Sequence, residues 1–147
     1  MKNLTKAWME KNDACQEAFD AWEKEGCEPD VIKVLNRCME LDRFDWANWL
    51  IVRHMTYKQY VSYAVFAAEQ VIEIYEKKYP DGKRPRQAIE AAKLCIKSPT
   101  AKNKKAAAEA SWAARAAGAA GAAMKKKIID YGIGLLKKQR GGCDEKI

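Results

Sequence analysis

Residues 56–79 read TYKQYVSYAVFAAEQVIEIYEKKY, and this stretch decides the fold of the chain. Its apolar residues recur in steps of three and four, which is the period of an amphipathic helix. Thr56 and Gln59 have the Thr-x-x-Gln spacing of a capping box, and Pro80 cannot continue a helix because it lacks the amide hydrogen. Further apolar residues lie beside the main stripe. We therefore predict a central helix at 57–79 that neighbours cover on several sides.

The sequence before the central helix contains three more helical patterns. We predict them at Thr5–Glu25, Val31–Leu41 and Trp46–Met55. Asp30 and Asp45 stand at the starts of the second and third, where an aspartate side chain caps free backbone amides. Trp46 and Trp49 on the third helix favour a core position over a binding platform, because large aromatic residues supply much of the buried area of a small domain.

The sequence after the turn at Pro80 predicts two more helices. One begins near Pro85, since proline is favoured in the first turn, and continues to Lys97. The other is long and alanine-rich, at about 101–138, and the glycines within it each cost about 1 kcal/mol relative to alanine. We expect another helix to compensate by crossing closely, with the small residues of the central helix facing Gly121, so that Gly121→Leu would cost on the order of 2–4 kcal/mol.

These patterns predict an all-α protein: a compact single-domain bundle of five or six helices over residues 1–140, followed by a flexible tail at 141–147. The 147 residues suffice for one hydrophobic core. Two-fold pairing is the commonest kind of oligomer, so both a monomer and a homodimer are open.

The chain carries a net charge of +7, and that charge is distributed unevenly. Residues 1–50 contain 7 Lys/Arg against 11 Asp/Glu, whereas residues 51–147 contain 20 against 9. An excess of this kind favours an anionic partner for the second half, although lysines on solvated helix faces would also keep the protein in solution. The candidate residues for binding an anionic ligand or a partner are Arg84, Arg86, Trp112, Arg115, Lys125, Lys126 and Lys127.

The residues that usually carry catalysis or bind metals are scarce. The chain has one histidine, His54, and five cysteines without a Cys-x-x-Cys pair, and it lacks a glycine-rich phosphate loop. We therefore expect reduced thiols, no metal, no cofactor and no enzymatic activity. Charged residues interrupt the first 25 positions, and no apolar run is long enough to span a membrane, so we expect a cytoplasmic protein without membrane contact.

Four stretches resemble the putative immunity protein family, a group of alanine-rich helical proteins of bacterial genomes and phage-derived regions. They are Asp13–Ala18 (DACQEA), Asp45–Ile51 (DWANWLI), Tyr63–Val71 (YAVFAAEQV) and Arg84–Ala92 (RPRQAIEAA). The resemblance covers most of residues 13–138. It implies a protein that neutralises a toxin by binding it, and it brings no catalytic motif with it.

Two functions follow as alternatives. The first is a stoichiometric inhibitor, either an immunity protein or a phage-encoded protein that blocks a bacterial defence enzyme, with a protein as its partner. The second is a binder or sponge for an anionic ligand, such as a nucleotide signal or nucleic acid, held by the basic second half. Steep weakening of binding by salt would distinguish the second from the first.

Overall fold

The computed structural model describes residues 3–80, 84–98, 100 and 121–141. These ranges contain seven α-helices and no strand, which confirms the all-α prediction. Within the same ranges, no helix combines the length and the apolar character needed to cross a membrane. The helices are α1 (Lys6–Lys11), α2 (Gln16–Lys24), α3 (Val31–Glu40), α4 (Phe44–His54), α5 (Tyr57–Lys78), α6 (Arg84–Lys97) and α7 (Ala122–Gly141).

The central helix α5 begins with the predicted capping box. The Thr56 hydroxyl accepts a hydrogen bond from the Gln59 amide at 3.4 Å, and the Gln59 side chain accepts one from the Thr56 amide at 2.9 Å. Tyr63 and Val65 are buried beside the main stripe, so neighbours cover α5 on more than one side, as predicted. The prediction was wrong for three tyrosines at the helix ends, which were expected on the covered stripe but are 38–49 % exposed: Tyr57, Tyr60 and Tyr79.

The single helix predicted at Thr5–Glu25 is instead two helices, α1 and α2. The Asn12 side chain donates a hydrogen bond to the Trp8 carbonyl at 2.7 Å, and Asp13 adopts a left-handed conformation with φ of 56°. Aspartate tolerates this conformation better than most residues and competes with the helix for backbone hydrogen bonds. The helix therefore stops at Lys11 and restarts at Gln16.

The third predicted helix begins two residues earlier than expected. Helix α4 starts at Phe44, so Asp45 lies in its first turn rather than at its cap. The Asp30 cap of α3 is as predicted, because its carboxylate accepts hydrogen bonds from the amides of Ile32 at 2.8 Å and Lys33 at 3.2 Å.

The chain divides into two compact units. The first unit comprises Met1–His54 and Gly132–Ile147, and the second comprises Met55–Tyr131. In the first unit α3 packs against α4, and the side chains of Leu35, Ile51 and Leu136 are completely buried. The prediction of one domain over residues 1–140 stays a prediction, and residues 142–147 of the predicted tail lie outside the described residues.

The second unit is built around the pairing of α5 with α6. Ala68 and Ala92 are both buried in the shared cluster of these helices, which lets the two backbones approach closely. An ion pair between Glu69 and Lys93 at 2.9 Å adds a polar contact between the two helices. The first half of α7 also belongs to this unit, where Tyr131 stacks on Phe66 with ring centres 4.0 Å apart.

The predicted long helix at about 101–138 is described only from Ala122 onward, and residues 101–120 lie outside the described residues. Gly121 immediately precedes the helix and is exposed. No atom of the described residues comes within 4 Å of the position that a Cβ at Gly121 would occupy. The predicted close crossing is therefore not found at Gly121, the rest of the small-residue face lies outside the described residues, and Ala68 of α5 packs with α6.

Candidate functional site

Arg86, a predicted ligand-binding cation, is already bound to a carboxylate. Its Nε and Nη2 atoms donate to the two carboxylate oxygens of Glu76, each at 2.6 Å. These hydrogen bonds raise the pKa of Arg86 and lower the pKa of Glu76. An anionic ligand would have to compete with this bidentate pair. The side chain of Arg84 and the whole of Trp112 and Arg115 lie outside the described residues.

The predicted lysines at 125–127 lie in the first turns of α7. Lys126 and Lys127 are exposed and Lys125 is half-buried. Successive residues of an α-helix are rotated by about 100°, so the three ammonium groups do not share one face. The basic site of the sequence analysis stays a prediction.

The first unit contains a pocket that the sequence did not indicate. It has a volume of about 100 Å³ and is open on one side, and its lining comes from the N-terminal segment and from α1 to α4. Most of the lining is apolar, and it includes three tryptophans, Trp22 from α2 and Trp46 and Trp49 from α4. All three tryptophans are half-buried, so the expectation that Trp46 and Trp49 belong to the core is only partly met.

The pocket exists because the side chains on the inner face of the amphipathic helix α2 are too small to fill the space beside them. Ala18 and Ala21 line the pocket from α2, and no residue of α2 is fully buried. Alanine side chains reach only one carbon from the backbone, and interiors normally pack without voids of this size. The space between α2 and the pair α3–α4 is therefore incompletely filled.

The three tryptophans that line the pocket are held in defined orientations. The Trp22 indole donates a hydrogen bond to the Glu28 carbonyl at 2.9 Å. The guanidinium of Arg43 lies 4.5 Å from the ring centre of Trp46, which is a cation–π contact. Trp49 meets the Trp8 ring edge-to-face, with ring centres 5.7 Å apart. These contacts fix the orientation of each ring, so the tryptophan part of the lining is preformed.

The charged residues around the pocket are paired with one another. Arg37 contacts Glu25 and Glu40, each at 3.0 Å, and these hydrogen bonds raise the pKa of Arg37. Arg43 contacts Glu17 at 3.2 Å. The pocket therefore offers an apolar interior without an uncompensated arginine at its rim.

The cysteine in the pocket is not a reactive group. Burial raises the pKa of the Cys38 thiol to about 11, so it stays protonated at neutral pH. A thiol must lose its proton to act as a nucleophile or metal ligand. In the part of the chain that the structure describes, no group of three or more metal-binding side chains comes together.

The comparison with protein families identifies the class of this protein. The model of the family described as "Imm-5 like putative immunity protein" matches residues 51–129, and the chain belongs to this family. This confirms the resemblance found in the sequence. No curated protein and no solved structure matches the chain. The residues that line the pocket lie between 4 and 50, before the matched stretch.

We did not predict the pocket from the sequence, although some of the residues in and beside it form a recognisable sequence pattern. Tryptophan and arginine recur at steps of three and four from the residue before α4 into its last turn: Arg43, Trp46, Trp49 and Arg53. The guanidinium of Arg53 lies 4.2 Å from the ring centre of Trp49. Tryptophan and arginine are the residues most enriched at binding hot spots. Their alternation along a helix could have suggested a partly exposed aromatic surface.

Proposed function

We propose that this protein is a non-enzymatic immunity protein that neutralises a toxin or a bacterial defence enzyme by stoichiometric binding in the cytoplasm. The family to which it belongs is described as one of immunity proteins, which supports a role in protection through a protein partner. The family match begins at residue 51, so the pocket lies in a segment that the family model does not cover. We infer that this pocket determines which partner this member of the family binds.

The observation that carries the proposal is the pocket lined by three tryptophans in defined orientations. Hot spots of protein interfaces consist of a few tryptophan, tyrosine and arginine side chains around a pocket from which water is excluded. Trp22, Trp46 and Trp49 line the pocket, and Arg43 stacks on Trp46. Half-buried aromatic rings keep apolar area in contact with water, and a partner that covers this area gains binding free energy.

Two residues that could take part in chemistry or bind an anion, His54 and Arg86, are engaged in structural contacts. The Nδ1 atom of His54 lies 3.0 Å from the Leu50 carbonyl, and its ring packs on Trp8 with centres 4.4 Å apart. Arg86, the described arginine among the predicted anion-binding residues, is neutralised by Glu76. These contacts favour a binding protein over an enzyme and favour a protein partner over an anionic ligand.

The proposal is tested by protection. We expect that co-expression of the chain in a bacterial host rescues growth from one member of a panel of toxins, and that the two proteins purify as a 1:1 complex by light scattering. Trp46→Ala should weaken that complex by about 2 kcal/mol or more, the cost of losing a hot-spot tryptophan.

Tyr60→Ala provides the matched control, since it removes another partly exposed aromatic residue, but from the second unit. We expect it to leave the affinity of the complex unchanged, and circular dichroism melts should show that both variants fold. Rescue at far less than one copy per toxin molecule would contradict stoichiometric binding and indicate a catalytic antidote.

A further inference from the structure

Arg53 differs from the other arginines whose side chains the structure describes. Each of the others contacts a carboxylate within 3.2 Å: Arg37, Arg43, Arg86 and Arg140. Arg53 is exposed, its hydrogen bond and ring contact are both with Trp49, and no carboxylate of the described residues pairs with it. The fold therefore leaves this guanidinium available to a carboxylate from outside the chain.

Arg53 is nevertheless held in place. Its Nη1 atom donates a hydrogen bond to the Trp49 carbonyl at 3.4 Å, and its guanidinium lies over the Trp49 ring, 4.2 Å from the ring centre. These contacts leave the edge formed by Nε and Nη2 without a hydrogen bond to the described residues. The same edge of Arg86 holds both carboxylate oxygens of Glu76. A planar guanidinium fixed in this way is preorganised for a carboxylate.

The rings beside Arg53 place apolar area next to its charge. Trp49 contacts Trp8 edge-to-face, and both rings are half-buried. We call Trp8, Trp49 and Arg53 the arginine–tryptophan patch. Tryptophan and arginine are the residues most enriched at binding hot spots. A partner that covers the patch would remove apolar area from water and would also shield an ion pair at Arg53 from solvent.

The charges around the patch distinguish a single carboxylate from a chain of phosphates. Asp45 is exposed and lies one turn before Trp49 and two turns before Arg53, so it shares their face of α4, about 12 Å from Arg53 along the axis. On α1, the exposed Glu10 and Lys11 carry opposite charges. Affinity for nucleic acid comes from several cations that neutralise neighbouring phosphates. This surface of mixed charge instead fits one acidic side chain.

We propose that the arginine–tryptophan patch binds one aspartate or glutamate side chain of the protein partner. The carboxylate accepts hydrogen bonds from Nε and Nη2 of Arg53, and apolar atoms of the partner cover Trp8 and Trp49. This inference rests on the proposed function and names part of the chemistry of its partner. Two parallel hydrogen bonds fix the direction of the acidic side chain, so the ion pair aligns the two proteins.

Capped tripeptides serve as probes for the partner. LEL presents glutamate between two leucines, LQL replaces the carboxylate with an amide of the same size, and LKL reverses the charge. Binding is followed by NMR at the indole N–H signals of Trp8 and Trp49 and at the Nε–H signal of Arg53. An ion pair that stays partly exposed strengthens binding up to about fivefold. We expect LEL to bind about two- to fivefold more tightly than LQL at low salt, and LKL to bind most weakly.

Variants of Arg53 test where the carboxylate binds. Arg53→Gln removes the charge from an exposed position, so it should fold normally and bind LEL and LQL equally. Arg53→Lys keeps the charge without the planar fork and should show a smaller preference for LEL, whereas a full preference would refute the two-hydrogen-bond geometry. The matched control is Lys24→Gln, which removes an exposed positive charge from α2 and should leave the preference unchanged. Circular dichroism melts show whether each variant is folded.

Three results with these probes would overturn the proposal. The first is that LEL at about 10 mM changes none of the three signals, since the expected dissociation constant is in the millimolar range. The second is equal binding of LEL and LQL to the wild type, or a preference that survives in Arg53→Gln. The third is that a short oligothymidylate binds more tightly than LEL and loses this binding in Arg53→Gln, which would assign the patch to nucleic acid.

The complex with a neutralised toxin separates this inference from the proposed function. In that complex, Arg53→Gln should weaken binding about thirtyfold, the factor that corresponds to the loss of a hot-spot residue. If Arg53→Gln binds and neutralises the toxin with unchanged affinity, the inference about the patch fails while the proposed function stands. If the peptides bind as expected but the chain protects against no toxin, the chemistry of the patch stands and the proposed function fails.

Discussion

Replacing Asp30 should destabilise the protein for two separable reasons. The Asp30 carboxylate caps α3 by accepting hydrogen bonds from the amides of Ile32 and Lys33. The same carboxylate accepts hydrogen bonds from Arg140 near the end of α7, at 3.1 Å to Nη1 and 2.7 Å to Nη2. Residues 110 positions apart are thus joined within the first unit.

The expected magnitudes differ for the two roles. Loss of an aspartate cap costs about 1 kcal/mol of unfolding free energy. The Arg140 side chain is 48 % exposed, and solvent screening makes exposed ion pairs weak, so its contribution is smaller than that of the cap. We therefore expect Asp30→Ala to cost slightly more than the cap alone. Asp30→Ser keeps an oxygen that can cap the helix and should cost clearly less, close to the cost of Arg140→Ala.

Urea unfolding followed by circular dichroism and tryptophan fluorescence measures these differences, and the double variant Asp30→Ala/Arg140→Ala isolates the ion pair. If Asp30→Ser costs as much as Asp30→Ala, the cap is not the main contribution and the argument is refuted. If the Arg140 substitution costs as much in the Asp30→Ala background as in the wild type, Arg140 acts through other contacts.

The same carboxylate predicts a pH dependence. The hydrogen bonds from Arg140, followed by those from the backbone amides, lower the pKa of Asp30 in the folded protein below its ordinary value of 3.8. A group with a lowered folded pKa stabilises the folded state above its unfolded pKa, and this stability is lost as pH falls through the folded pKa. The stability difference between wild type and Asp30→Ser should therefore be constant near neutral pH and shrink below about pH 4.

Three further predictions use the same kind of measurement. Ala68→Leu should cost about 1–3 kcal/mol by overpacking the contact between α5 and α6, seen as a lower urea midpoint. Gly121→Ser should stabilise by a few tenths of a kcal/mol by improving the cap of α7, and a loss of stability would reveal a close neighbour at this position. Native Cys38 should resist a thiol reagent that modifies the exposed Cys15 and Cys27 within minutes, and mass spectrometry of the labelled protein locates the modified residues.

The central helix could be predicted because its signals are local. The apolar period, the capping box at Thr56 and the stop at Pro80 act within one stretch of chain, and the structure confirms the helix, its capping box and its end before Pro80. The break at Asp13 could not be predicted with the same method. It depends on one residue in a left-handed conformation, and the apolar period continues across that residue without a sign of the break.

Small residues misled the prediction at Gly121 for a related reason. A glycine permits another backbone to come close, but the pattern does not say whether one does. On α5 such close packing does occur, because Ala68 and Ala92 of α6 belong to one buried cluster. At Gly121 no atom of the described residues comes within 4 Å of the position that a Cβ would occupy. The sequence shows where a residue is small enough for close packing, whereas the whole fold determines whether another helix packs there.

The candidate site was sought in the basic half because an excess of positive charge suggested an anionic ligand. A count of charges cannot show which of them already have partners inside the protein, and Arg86 is held by both oxygens of Glu76. The pocket has the opposite character: its apolar rings are half-buried because the small residues of α2 do not fill the space that they face. This unfilled apolar volume lies between α2, α3 and α4, so the periodicity within any one of these helices could not reveal it.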